Sequence, residues 1–79
     1  MITFYGANWC GDCIRSKALL DNNEITYEYV DIEKNPEAVA YVEKINNGLR
    51  SIPTIVFDNG EVLTEPSNEQ LLAMIKDIT

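Results

Sequence analysis

Cys10-Gly11-Asp12-Cys13 is the segment whose residue types and spacing can do chemistry. Two thiols held two residues apart can close to a disulfide and reopen. They stand where a short β-prone apolar segment, Ile2 to Tyr5, passes through the loop Gly6 to Trp9 into Ile14 to Asp21, a run without Pro or Gly that is expected to be helical. A helix start presents unpaired N–H groups and the positive end of the peptide dipoles. A thiolate at Cys10 is favoured there, so Cys10 is the expected nucleophile. Cys13 lies one turn deeper and is expected to attack a mixed disulfide formed at Cys10. Asp12 either repels charge on Cys10 or serves the helix as a first-turn acid.

Three other uses of the pair compete. A structural disulfide closing so small a ring restrains the unfolded chain by about 2 kcal/mol, against about 3 for a fifteen-residue loop. Structural zinc needs four ligands, and the chain has two Cys and no His. A metal or iron–sulfur centre would therefore need two chains, and that dimeric module is the alternative function. The third use is as two unconnected core cysteines. The absence of His also removes Ser-His and Cys-His dyads. The dithiol reading requires no cofactor and no metal.

Ile52-Pro53-Thr54 is the second element of interest. A Pro opening a strand can be cis, although base rates favour trans. Beside Cys10, the backbone of Ile52 could pair with an extended substrate chain. Trp9 is a candidate contact at the rim of the thiols. Arg15 and Arg50 flank the expected site and either contact a substrate carboxylate or are solvated surface cations. Ser67 and Asn68 open the last helix, where they either hold an anionic group of a small thiol or act only as caps.

The remaining elements position these residues. Ile25 to Ile32 alternates and is expected as a strand. Asn35-Pro36-Glu37 starts a helix with Asn as N-cap, buried through Val39, Val42 and Ile45, and Asn46-Asn47-Gly48 stops it. Asn22-Asn23 ends the first helix, whose apolar stripe is Ile14, Ala18 and Leu19 or Leu20. Thr54 to Phe57 and Glu61 to Thr64 form a hairpin around Asn59-Gly60. Ser67-Asn68-Glu69-Gln70 is a capping box for a helix buried through Leu71, Leu72, Ile75 and Ile78. The order is β-α-β-α-β-β-α, an α/β fold. It implies parallel first strands joined by a right-handed crossover, and a four-stranded mixed sheet with three helices.

Bulk properties bound the rest. The chain has 79 residues, 46% apolar and 24% charged, which fits one globular domain over residues 1–79. Six Lys and Arg against thirteen Asp and Glu give a net charge of −7, which argues against nucleic acid and anionic membrane as partners. No apolar run approaches the ~18 residues of a membrane span. Met1-Ile2-Thr3-Phe4-Tyr5-Gly6 lacks the basic and apolar regions of a signal peptide. A cytoplasmic location is expected, where thiols stay reduced.

Three motifs in order carry a resemblance over essentially the whole chain. Trp9-Cys10-Gly11-Asp12-Cys13, Val30-Asp31-Ile32-Glu33 and Arg50-Ser51-Ile52-Pro53-Thr54-Ile55 resemble those of glutaredoxin-like redoxins. Asn47-Gly48-Leu49-Arg50-Ser51-Ile52-Pro53-Thr54 and Leu63-Thr64-Glu65-Pro66-Ser67 are similar to the mycoredoxin type. The resemblance implies a thioredoxin fold, Cys10 as nucleophile, Cys13 as resolving thiol and Pro53 in cis. It implies a thiol–disulfide oxidoreductase acting on protein or low-molecular-weight disulfides. The electron donor would be a thiol or a flavin reductase, and the protein a monomer. Ala7 stands where glutathione-binding members usually carry Lys, and Thr64-Glu65-Pro66-Ser67 replaces their Gly-Gly-acidic segment. Both departures weigh against glutathione.

Overall fold

A computed structural model of the chain describes residues 1–78. The elements are β1 (Ile2–Gly6), α1 (Gly11–Asn22), β2 (Tyr27–Asp31), α2 (Pro36–Ile45), β3 (Thr54–Val56), β4 (Val62–Thr64) and α3 (Asn68–Ile78). The sheet order is β2-β1-β3-β4. β1 and β2 run parallel, with Ile2 opposite Tyr27 and Gly6 opposite Asp31. β3 is antiparallel to both β1 and β4. The expected element order and mixed sheet are therefore present.

The two faces of the sheet follow the period-two alternation of β1. Ile2 and Phe4 point to one face, where they meet Leu20 of α1, Ile55 and Phe57, and Leu71 and Ile75 of α3. Cys10 and Cys13 belong to this same cluster. Tyr5 points to the other face and packs with Val30, Ile32, Ala38 and Val42 under α2. Phe4 is fully buried, and its ring lies 5.8 and 5.9 Å from the rings of Tyr27 and Tyr29. Such burial is worth about 1.5–3 kcal/mol for one side chain.

Local signals explain the ends. Ser67 N–H donates to Gln70 Oε1 at 2.9 Å and Gln70 N–H returns to Ser67 Oγ at 3.1 Å, closing the capping box. Asn47 and Gly48 take φ of 57° and 91° where α2 stops. Asn46 ties that stop to the sheet: its amide donates to Val42 O at 2.9 Å and Thr54 Oγ1 at 3.1 Å, and its Oδ1 accepts from Thr64 Oγ1 at 2.8 Å.

Several expectations are corrected. α1 begins at Gly11, three residues early, because Cys10 caps it. Its buried residues are Cys13, Ser16 and Leu20, whereas Ile14 is 57% exposed and Ala18 is also exposed. Starting the helix at the first cysteine rotates the apolar count onto the thiol face. The left-handed residue after α1 is Glu24, at φ 56°, and not Asn23, at φ −96°. Asn35 occupies the N-cap of α2 without a side-chain cap bond, since its amide donates to Asp31 O at 2.8 Å. α2 buries Ala38 and Val42, with Val39 and Ile45 only half-buried. β2 starts at Tyr27 and not at Ile25, and β3 and β4 are each three residues long. Leu72 and Ile78 of α3 are exposed, and Met74 packs with Leu71 and Ile75 instead.

Candidate active site

The site is built at the point where β1 hands the chain to α1. Cys10 is the N-cap of α1, in an extended conformation at φ −80° and ψ 117°. Its N–H donates to Ala7 O at 3.2 Å and its carbonyl accepts from Ile14 N–H at 3.0 Å. Its Sγ accepts the N–H of Cys13 at 3.3 Å. Helix caps are normally filled by the oxygen of Ser, Thr, Asp or Asn. Here a sulfur takes that place, so an N–H of the helix start points at a thiol.

Cys13 sits deeper. It is fully buried, whereas Cys10 retains 9% exposure at the surface, and both thiols are free. The close packing depends on Gly6, because a Cβ there would lie 2.9 Å from Cys13 Sγ. Burial pushes the Cys13 thiol up to about 12, reinforced by the hydrogen bond with Cys10 and opposed by the Ala7 backbone. Cys13 thus holds its proton near neutrality.

Ile52 packs against the cluster that contains both cysteines, and the Ile52–Pro53 peptide bond is cis. Pro53 is fully buried, and its carbonyl accepts from Glu65 N–H at 2.8 Å. Thr54 fixes the same loop by donating Oγ1–H to Ser51 O at 2.7 Å. Trp9 is 68% exposed, and its Nε1–H donates to Glu33 Oε1 at 2.6 Å. Asp12 is exposed and lies 3.6 Å from Arg15, a pairing worth about 0.2–1 kcal/mol. Arg15 also donates to Asn68 Oδ1 and, at 3.1 Å, to Pro66 O. The arginine side chain therefore joins α1 to the loop before α3.

Cys10 and Cys13 share one core cluster, and Ile52, with Pro53 next in the chain, packs against that cluster and against the one under α2. Arg50 lies exposed on the loop before Ile52. Ser67 N–H and Oγ close the α3 cap with Gln70, and the Asn68 side chain is engaged by Arg15, so their own chain uses the side chains expected to hold an anion. Among the described residues, no three Cys, His, Asp or Glu side chains converge in a metal-binding group.

Sequence reasoning missed a polar cluster beside the thiols. Tyr29 O–H donates to Asn8 Oδ1 at 2.9 Å, and Lys17 Nζ stands 3.8 Å from the Tyr29 ring centroid. Burial raises the Tyr29 hydroxyl, and Asp31, Cys13 and Cys10 raise it further by charge. The available signal was spacing, since Lys17 is four residues after Cys13 and so shares its side of the helix. Nothing local in Val30-Asp31-Ile32-Glu33 signals that Glu33 holds the Trp9 indole.

Comparison with known proteins agrees with this geometry. The Glutaredoxin family model matches residues 2–63. A protein of Mycobacterium tuberculosis named as a glutaredoxin is 42% identical over 77 residues, covering 98% of this chain and 92% of that protein. Mycoredoxin 1 of Corynebacterium glutamicum is 31% identical over 75 residues, covering 95% of this chain and 92% of that protein. The crystal structure of a thioredoxin-like protein superposes with a TM-score of 0.81 at 28% identity, covering 94% of this chain and 99% of that one. A helix-capping sulfur, a buried second thiol, a cis proline and these relatives converge: the chain belongs to the glutaredoxin family and is a glutaredoxin-like thiol–disulfide oxidoreductase of thioredoxin-like fold.

Proposed function

We propose that Cys10 attacks the disulfide and Cys13 resolves the product. The carrying observation is the asymmetry of the pair: Cys10 Sγ receives a helix N–H, whereas Cys13 is fully buried and holds its proton. In the first step the Cys10 thiolate bonds to one sulfur of R–S–S–R′ and R′S⁻ leaves. In the second, Cys13 bonds to Cys10 Sγ and the Cys10–S–R bond breaks, releasing RSH. Two electrons from a thiol or a flavin reductase restore the dithiol. The substrates are protein or low-molecular-weight disulfides.

Trp9, Asp12, Arg50 and Ile52 form the proposed substrate-facing set, with the buried Pro53 fixing the Ile52 backbone and Ser67 capping the neighbouring helix. The packing of Ile52 on the thiol cluster supports backbone pairing with an extended substrate, and the exposure of Trp9 supports a rim contact. Among the described residues, no helix is long and apolar enough to cross a membrane. A free dithiol suits a reducing compartment, and we place the protein in the cytoplasm as a single-domain monomer over residues 1–79. The family relationship supports this cycle and not a dimeric iron–sulfur or metal-binding module on the same cysteines.

Two variants test the cysteine roles. Cys13→Ser should still attack and accumulate a mixed disulfide, visible by intact mass. Cys10→Ser should form none and reduce no disulfide. Adduct on the Cys10→Ser variant and none on Cys13→Ser would reverse the assignment.

A further inference from the structure

α1 carries a polar group that the cycle above leaves unused. Ser16 is 0% exposed, and its Oγ has no hydrogen-bond partner among the described residues. A buried hydroxyl without a partner destabilises a fold, and alanine would also be the better helix residue. Its position gives it a use. Ser16 comes three residues after Cys13, on the buried face that continues to Leu20. Residues three apart on a helix are neighbours, with Cβ atoms about 5–6 Å apart. Helical side chains lean toward the N-terminus, which directs Ser16 toward Cys13. Rotation about the Cα–Cβ bond of Ser16 is the freedom needed to carry its O–H toward Sγ.

Cys13 lacks help where it needs it. Resolution requires it as an anion, yet burial opposes that charge, and the Asp12 carboxylate acts in the same direction. The Ala7 backbone acts in the opposite direction.

We propose that the Ser16 hydroxyl stabilises the Cys13 thiolate in the resolving step, turning from an idle rotamer to donate its O–H to Sγ. The inference rests on Cys13 being the resolving thiol. As Cys13 Sγ bonds to Cys10 Sγ, the Cys10–S–R bond breaks and its electron pair leaves on RS⁻. That thiolate takes up the proton Cys13 released, and Ser16 keeps its own proton throughout.

The test follows thionitrobenzoate release after mixing reduced protein with one equivalent of dithiobis(nitrobenzoate). The first release reports attack by Cys10 and the second reports resolution by Cys13. In Ser16→Ala the first phase should be unchanged and the second about tenfold slower, as expected for a lost hydrogen bond to a charged group. The melting midpoint should be unchanged or higher, because the orphaned hydroxyl is gone. A second phase at the wild-type rate overturns the role of Ser16 and leaves the cysteine roles standing. A slower second phase with a lower midpoint assigns Ser16 a structural role and also overturns it. Release of one equivalent of thionitrobenzoate by the wild-type protein in place of two overturns the cysteine assignment, and this inference with it.

Discussion

Gly6→Ala should damage this protein out of proportion to one methyl group. The added Cβ would stand 2.9 Å from Cys13 Sγ and 3.0 Å from Phe4 Cε1. Ordinary non-bonded contacts lie near 3.5–4.0 Å, so roughly 0.6–1 Å must be found. Neither neighbour yields cheaply. Phe4 packs against both Tyr27 and Tyr29, and Cys13 is fully buried in the first turn of α1. Overpacking of this kind costs about 1–3 kcal/mol. Gly6 has no positive φ, so alanine also restricts the unfolded chain, which returns about 0.4–1 kcal/mol. The net loss is roughly 1–2 kcal/mol from a domain whose total stability is about 4–12 kcal/mol. Urea unfolding of the reduced protein should show a lower midpoint at an unchanged slope. Displacement of Cys13 Sγ should also slow closure of the Cys10–Cys13 disulfide about tenfold or more, since misplacement of a reacting atom is costly. A wild-type midpoint together with wild-type closure would show that Cys13 does not rest on Gly6.

Two other outcomes follow from the same geometry. Cys13 is raised from 9.0 to about 12, so between those pH values the unfolded chain has lost a proton that the folded chain keeps. The reduced protein should therefore lose stability as pH climbs through that window, and Cys13→Ser should lose less; equal slopes in chemical unfolding would contradict the burial of a protonated thiol. Tyr27, raised to about 12 by burial and its bond to Asp21, falls in the same direction in both proteins and cancels in the comparison. Asn46→Ala removes the amide that joins α2, Thr54 and Thr64, and should cost about 1–3 kcal/mol by calorimetry; a change within 0.5 kcal/mol, roughly the size of an exposed substitution, would mean that water replaces it.

The topology and the dithiol were legible because their signals are local. Asn-Gly at 59–60, Pro36 at a helix start and the Ser67–Gln70 box each specify a backbone event within four residues. The misread face of α1 has a different cause. Counting apolar residues from Ile14 finds Leu20, which the fold buries, but excludes Cys13 and Ser16, which it buries as well. A thiol counts as apolar in a core, and a serine rarely does, so no periodicity could place Ser16 inside. Long-range pairings such as Trp9 with Glu33 and Arg15 with Pro66 leave no mark in local spacing. Gly6, expected in the loop, ends β1, and its close approach to Cys13 is likewise a long-range contact.

The loop joining β4 to α3 sets how small a transplantable version of this site can be. Glu65 holds the carbonyl of Pro53, and Pro66 with Asn68 holds Arg15 of α1. The two walls of the site are thus clamped by residues beyond position 63, where the family match ends. A graft ending there would carry both cysteines and the cis proline but no clamp between them. The minimal portable unit extends through Asn68, and since that residue opens α3, whose Leu71 and Ile75 fill the core under the thiols, it extends in practice through the last helix.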